Sequence, residues 1–168
     1  MSYIVSIYLQ VRKLCYYFDN MSPNVEVERL SAYSDEDAAG LGRLKSFLSD
    51  RFTDVPVSRE LLESIINSPD HEQLVARIDS RIIGAATLSI VMGMGAGKVA
   101  HLEDFVTDPA IQRQGVGDKV WAEIIIWCKE RGVDLEFTSN SNRVDAHKFY
   151  SKHDAHIRDT TVFHVDVE

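Results

Sequence analysis

Apolar and charged positions alternate across residues 25–30, the pattern of a strand with one face to solvent. The period then lengthens. Ser34, followed three residues on by Asp37, resembles a capping box with Asp in place of the commoner Glu, and Leu41, Leu44 and Leu48 recur at helical spacing. Gly40 and Gly42 weaken that helix by about 1 kcal/mol each relative to Ala. Ser58 caps a second short helix that runs to Ile66, where Asn67, Ser68 and Pro69 stop it. Residues 73–78 and 81–91 are strand-like runs separated only by Asp79 and Ser80, the spacing of a β-hairpin. The loop "MGMGAGK" leads to a third run over 99–107. Residues 115–131 are amphipathic, with Val116, Val120, Ile124 and Trp127 on one face, and Gly132 is a good stop. A strand is predicted over 133–138. A helix is predicted over 142–153, with Asn142 as its cap and Asp145 three residues later. Residues 155–158 and 161–167 close the chain as a hairpin. The order β α α β β β α β α β β interleaves helices with a mixed sheet, which is the α/β (α+β) class and neither a bundle nor a sandwich.

Composition narrows this picture. A chain of 168 residues favours one domain with its own core. The formal net charge is −8, with 18 Lys and Arg against 26 Asp and Glu, so no cationic excess is present to neutralise nucleic acid or an anionic membrane. Cys15 and Cys128 are far apart and lie in no metal-ligand spacing, which reads as reduced thiols of a cytoplasmic protein with no metal site. Residues 1–24 form an N-terminal extension to a domain spanning 25–168. The apolar run 3–11 is too short to span a membrane, and Arg12 and Lys13 follow it, whereas a secretory signal has its charge first. Either an upstream start at Met1, ahead of Met21, or a segment that packs on a partner accounts for the extension.

The stretch "HLEDFVTDPAIQRQGVGDKV", residues 101–120, carries the chemistry. A strand ends at Thr107, and a helix begins near Gly115. The first turn of a helix has unpaired N–H groups and a partial positive charge, and it binds phosphate oxygens well. Glycines there allow close approach of a diphosphate, and Gln112 and Arg113 add donors. The loop "GMGAGK" is not a phosphate loop: Met92 and Val99 stand where that pattern needs Gly and Ser or Thr. GxGxxG is not matched either.

Gln112, Arg113, Gln114, Gly115, Val116 and Gly117 match the Q/R-x-x-G-x-G/A motif of the GNAT superfamily of acetyl-CoA-dependent N-acetyltransferases. "SNSNRVDAHKFYSK" resembles that family's later motif, and "GKVAHLEDFVTD" is similar to the strand before the pyrophosphate loop in its small-metabolite branch, which includes glucosamine-6-phosphate N-acetyltransferase. The resemblance implies a GNAT fold, a central mixed, mostly antiparallel twisted sheet flanked by helices. It implies acetyl-CoA as co-substrate and direct transfer of acetyl to the primary amine of a small metabolite. Alternatives are a peptide or protein amine as acceptor, or a non-catalytic acyl-CoA-binding module. Dimers are common in the family, which leaves room for a homodimer.

Such a reaction must remove a proton from an amine that is mostly protonated at neutral pH. The resemblance places this on Glu103, directly or through water, with Asp104 orienting the amine. A regular strand cannot aim both at one pocket, and the family usually carries a β-bulge there. Flanking Leu102, Phe105 and Val106 predict that both carboxylates are buried. Tyr150 is implied as the acid that protonates the thiolate. Phe105, Val106 and Thr107 offer backbone groups to the pantetheine arm, with Asn142 and Phe149 nearby, and Asp118 and Lys152 complete the implied cofactor-binding set. The chain departs from the family at His153, Asp154 and Ala155, where Leu-Gly-Phe is common. His101 shares strand parity with Glu103 and reads as structural, and His153 and His156 read as surface or turn residues.

Overall fold

The computed structural model describes residues 24–95 and 97–167. Cys15, Met21 and all of the N-terminal extension before Asn24 lie outside the described residues, as does Ala96 of the "MGMGAGK" loop. The chain divides into two compact units, one ending at Glu136 and the other beginning at Phe137.

The first unit is built on a five-stranded sheet in sequence order. β1 (Val25–Arg29), β2 (His71–Ile78), β3 (Arg81–Gly93) and β4 (Gly97–Thr107) pair antiparallel, and β5 (Leu135–Glu136) pairs parallel to β4. The sheet is thus mixed and mostly antiparallel. Asp79 takes a left-handed φ of 53° in the tight β2–β3 turn, a conformation that Asp tolerates better than most residues.

α1 (Asp35–Lys45) and α2 (Arg59–Ile66) cover one face of this sheet. Ala38, Leu41, Leu44 and Leu62 from the helices meet Val75, Ile82, Ala85 and Val106 from the strands. α3 (Val116–Arg131) lies on the opposite face: Val116 and Ala76 both stand against Gly84, and Trp127 Nε1 donates to Glu72 Oε2 at 3.1 Å. The caps form as expected, with Asp37 N–H donating to Ser34 Oγ and Leu61 N–H to Ser58 Oγ. The reciprocal half of the first capping box is replaced, because the Asp37 carboxylate accepts from Arg77 Nη2 at 2.7 Å.

Gly42 has a role that helix propensity hides. A Cβ there would stand 2.7 Å from the Val55 carbonyl carbon and 2.8 Å from Pro56 Cα. That segment is tied to α1, since Val57 N–H donates to Ala38 O at 3.0 Å. Gly42→Ala is expected to lower stability by roughly 1–3 kcal/mol through overpacking, against the gain of about 1 kcal/mol that propensity favours. Urea denaturation reads the sign directly, and a more stable variant would show that the 55–57 segment yields.

The second unit contains α4 (Val144–Lys152). Three expectations are corrected toward the C-terminal end of the chain. Asn142 is not the cap of α4; that place is taken by Arg143, without a side-chain hydrogen bond, because Asn140 Oδ1 accepts the Asn142 N–H and closes a turn one step earlier. The strand expected over 133–138 shrinks to Leu135–Glu136, where it pairs with Ala100 and His101. The closing hairpin over 155–167 does not form among the described residues, and Ile157, Val162, Phe163, Val165 and Val167 are exposed. An alternating pattern becomes a strand only where a neighbouring edge takes its backbone groups.

Candidate active site

β4 breaks its register at the two carboxylates. Thr87 faces Glu103 and Ala85 faces Val106, so Asp104 and Phe105 stand together opposite Ala86. This is a β-bulge, and Asp104 adopts a left-handed φ of 44° within it. Before the bulge, Glu103 shares the α1 face of the sheet with its partner Thr87. After it, Val106 joins the core beneath α1, while the Phe105 ring meets Trp121 of α3 at 6.1 Å. Asp104 is the extra residue, close enough to Glu103 and to Lys45 of α1 for both charges to act on it. The bulge therefore does what a regular strand cannot: both carboxylates act in one neighbourhood.

The expected burial of these carboxylates is corrected. The Glu103 side chain is 56% exposed, and Asp104 also reaches solvent. Enough protein surrounds Asp104 that desolvation still pushes its carboxyl above the ordinary value, Glu103 adds to this, and Lys45 opposes it. A raised carboxyl costs the folded state once it ionises. That cost grows as pH rises from the ordinary value of 3.8 through the raised one and is complete above it. Asp104→Asn is therefore expected to melt higher than the parent at pH 7, with the difference closing below the ordinary carboxylate range. Paired thermal melts at pH 7 and pH 3 test this, and a lower melting point at pH 7 would refute it.

A polar row crosses the sheet on the same face. Gln73 of β2 faces Thr87 of β3, which faces Glu103. Gln73 and Thr87 are 5% and 9% exposed, and Thr87 Oγ1 donates to Gln73 Oε1 at 3.0 Å. Gln73 Nε2 donates to Ala86 O at 3.1 Å, the residue that the bulge leaves without a one-to-one partner. A buried amide is tolerated only when so satisfied. Sequence reasoning missed this support; the Gln that opens the strand-like run 73–78 was its signal.

Beyond the bulge lies the approach to α3. β5 pairs with β4 only at Ala100 and His101, so Phe105, Val106 and Thr107 fall outside that ladder. The chain then passes the short 3₁₀ turn Pro109–Ile111 and exposed Gln112, Arg113 and Gln114. Arg113 and Gly115 are both left-handed, at φ 65° and 78°. Gly115 is the N-cap of α3 and offers no capping side chain to the first-turn N–H groups. Among the described residues outside its chain neighbours and its own helix backbone, nothing lies within 4 Å of where its Cβ would be. The left-handed backbone, not crowding, is thus what requires glycine there. Val116 is buried, and Gly117 and Asp118 are half-buried in the first turn. Gly84, which sequence reasoning passed over, seats this end: its missing Cβ would lie 3.1 Å from Val116 Cγ1 and 3.5 Å from Val106 O.

Asp108 anchors the same loop. It is 3% exposed and accepts from Arg43 Nη1 at 2.7 Å, Arg81 Nη2 at 2.9 Å and Ala110 N–H at 2.9 Å. Burial works to raise its carboxyl, but the Ala110 N–H and the two guanidiniums prevail and hold it below the ordinary value.

In the second unit, Tyr150 is the buried residue of α4. Its ring meets Phe137 at 4.6 Å and Phe149 at 5.8 Å, and Phe149 also meets His153 at 4.5 Å. Desolvation pushes the Tyr150 phenol upward, with Arg143 opposing. Lys152 and Asn142 are exposed. Among the described residues, no three His, Cys, Asp or Glu side chains are grouped to hold a metal, and no helix is long and apolar enough to cross a membrane.

A family model described as acetyltransferase (GNAT) family matches residues 24–154. Solved structures with similar folds include an aminoglycoside acetyltransferase, meta-AAC0020, from an uncultured soil metagenomic sample in complex with sisomicin. It is 21% identical, with 89% of this chain and 99% of that one covered and a TM-score of 0.75. Glucosamine-6-phosphate N-acetyltransferase from Arabidopsis thaliana is 19% identical over 84% of this chain and 98% of its own, at a TM-score of 0.69. Aminoglycoside N-acetyltransferase AAC(6')-Iy in complex with CoA is 17% identical over 85% and 95%, also at 0.69.

Proposed function

Because the chain belongs to the acetyltransferase (GNAT) family and is an N-acetyltransferase, we propose that it carries acetyl from acetyl-CoA to the primary amine of a small molecule. The observation that carries this reading is the β4 bulge, which turns two carboxylates into one neighbourhood beside a strand segment outside the β5 ladder. A cationic amine suits that negative charge. The amino-sugar and aminoglycoside acceptors named for structurally similar proteins are of this class.

The residues fit the donor. The first turn of α3, which has no side-chain cap at Gly115 and where a Cβ would meet no described neighbour, suits a diphosphate. Phe105, Val106 and Thr107 present backbone groups to an extended pantetheine arm as an added strand would. Glu103 supplies the negative charge toward which the amine proton moves, Asp104 orients the amine, and Tyr150 supplies a proton to the departing thiolate. Release of free thiol from acetyl-CoA, measured across a panel of primary amines, tests the reading. Thiol release with peptide amines alone would move the acceptor class to proteins.

Gly117→Glu places a side chain and a negative charge in the first turn of α3. It is expected to weaken acetyl-CoA binding by at least about tenfold, with the fold retained. Calorimetry showing wild-type affinity would remove the diphosphate from this position.

A further inference from the structure

We infer that His101 is a further catalytic residue, which takes the acceptor amine's proton on Nε2 while Glu103 holds its Nδ1–H. The inference rests on the acetyl-transfer reading and deepens it, since Glu103 then acts through the imidazole. His101 Nδ1 and Glu103 Oε1 are 2.8 Å apart. An ionised carboxylate only accepts, so Nδ1 must carry the proton, and in the neutral ring Nε2 keeps its lone pair. Among the described residues, no second hydrogen bond occupies His101. The ring is 31% exposed, sheltered yet reachable.

Spacing alone would not justify this. His164 and Asp166 are also two apart, at 3.0 Å, but they are 82% and 95% exposed in a segment with no β-ladder. His101 differs in its setting. It lies two residues before the bulge, on the α1 face shared with Glu103. The carboxylate in contact with it is Glu103, and Glu136 stands in register with it across β5. The facing residues of β3, Thr87, Ser89 and Val91, are uncharged.

In the step, the amine nitrogen bonds to the acetyl carbon and the carbon–sulfur bond breaks with its electron pair left on sulfur. The attacking nitrogen's proton moves to His101 Nε2 and on to solvent, Tyr150 gives its proton to the thiolate, and the tyrosinate regains one from solvent.

Two measurements test this. Nitrogen-15 NMR of histidine-labelled protein above neutral pH should show His101 with its proton on Nδ1; a dominant Nε2–H form overturns the pairing, whatever the enzyme does. Kinetics then use acetyl-CoA with glucosamine 6-phosphate, sisomicin and lysine methyl ester, taking whichever the parent turns over. His101→Gln should lower kcat by roughly 10²–10⁴ and abolish the acidic limb of the pH–rate profile, with acetyl-CoA affinity unchanged. Glu103→Gln should lower kcat by about tenfold and leave the limb in place, because His101 remains to take the proton while its Nδ1–H loses a charged acceptor. A His101→Gln variant that keeps the limb and a kcat within about threefold of the parent overturns the role. A parent that binds acetyl-CoA but acetylates none of the three overturns the small-amine reading and this step with it, while the NMR result still reports the pairing separately.

Discussion

Tyr150→Phe is expected to lower kcat by roughly 10²–10⁴, the usual worth of a positioned general acid, while acetyl-CoA affinity holds. The substitution deletes one hydroxyl. The ring contacts to Phe137 and Phe149 are made by the aromatic body and remain available to Phe. Desolvation raises the phenol, so the hydroxyl keeps its proton through neutral pH and has it to donate. Steady-state kinetics at saturating acetyl-CoA, paired with a melt to confirm the fold, give the result. Near-parental turnover would reduce Tyr150 to a packing residue of its unit.

Asp108→Ala is expected to destabilise the protein by roughly 3–5 kcal/mol, because it strips a buried ion pair of one partner. The carboxylate ties Arg43 of α1 to the start of the 3₁₀ turn, and the Arg43 guanidinium also donates to Ile82 O at 2.6 Å. Arg81 is 65% exposed and contributes the smaller share. The pH dependence has a definite sign. A carboxyl held below its ordinary value of 3.8 stabilises the fold above that value and loses its contribution as pH falls through the lowered one. Urea melts should therefore separate parent and variant fully at pH 7 and bring them together in strong acid. The loop that leads to Gly115 starts at this residue, so acetyl-CoA affinity should fall in the variant as well. A variant that loses less than about 1 kcal/mol at pH 7 would place the anchor elsewhere.

Local signals were read well where the partner is local. Ser34 and Ser58 cap their helices because a hydroxyl needs only the N–H three residues on. The β2–β3 turn forms at Asp79 and Ser80 because two strand-like runs with a two-residue gap leave little choice. Gly115 and Gly132 bracket α3 in left-handed conformations that glycine adopts without strain. The failures share one cause, which is that the deciding neighbour is distant in sequence. Gly42 reads as a weak helix residue until the Val55–Pro56 backbone lies against it. Glu103 reads as buried from its flanks, yet its face of β4 reaches solvent. Asn142 reads as a cap until Asn140 closes a turn before it.

The sequence by itself determined the element order through β4 and α3, the class of fold and the family, because periodicity, caps and the Gln112–Gly117 motif are properties of neighbouring residues. It also placed the carboxylates, the glycines and Tyr150 on their elements. Only the tertiary structure decided that β4 bulges at Asp104, since a bulge is a mismatch between two strands and exists only once Thr87 and Ala85 set the count. The same holds for the Gln73–Thr87 support, for the His101–Glu103 hydrogen bond, and for the ladder that leaves Phe105 to Thr107 clear of β5. Alternation at residues 161–167 was present in the sequence and still yielded no strand there, because hydrogen bonds across a sheet need an edge that the pattern itself does not supply.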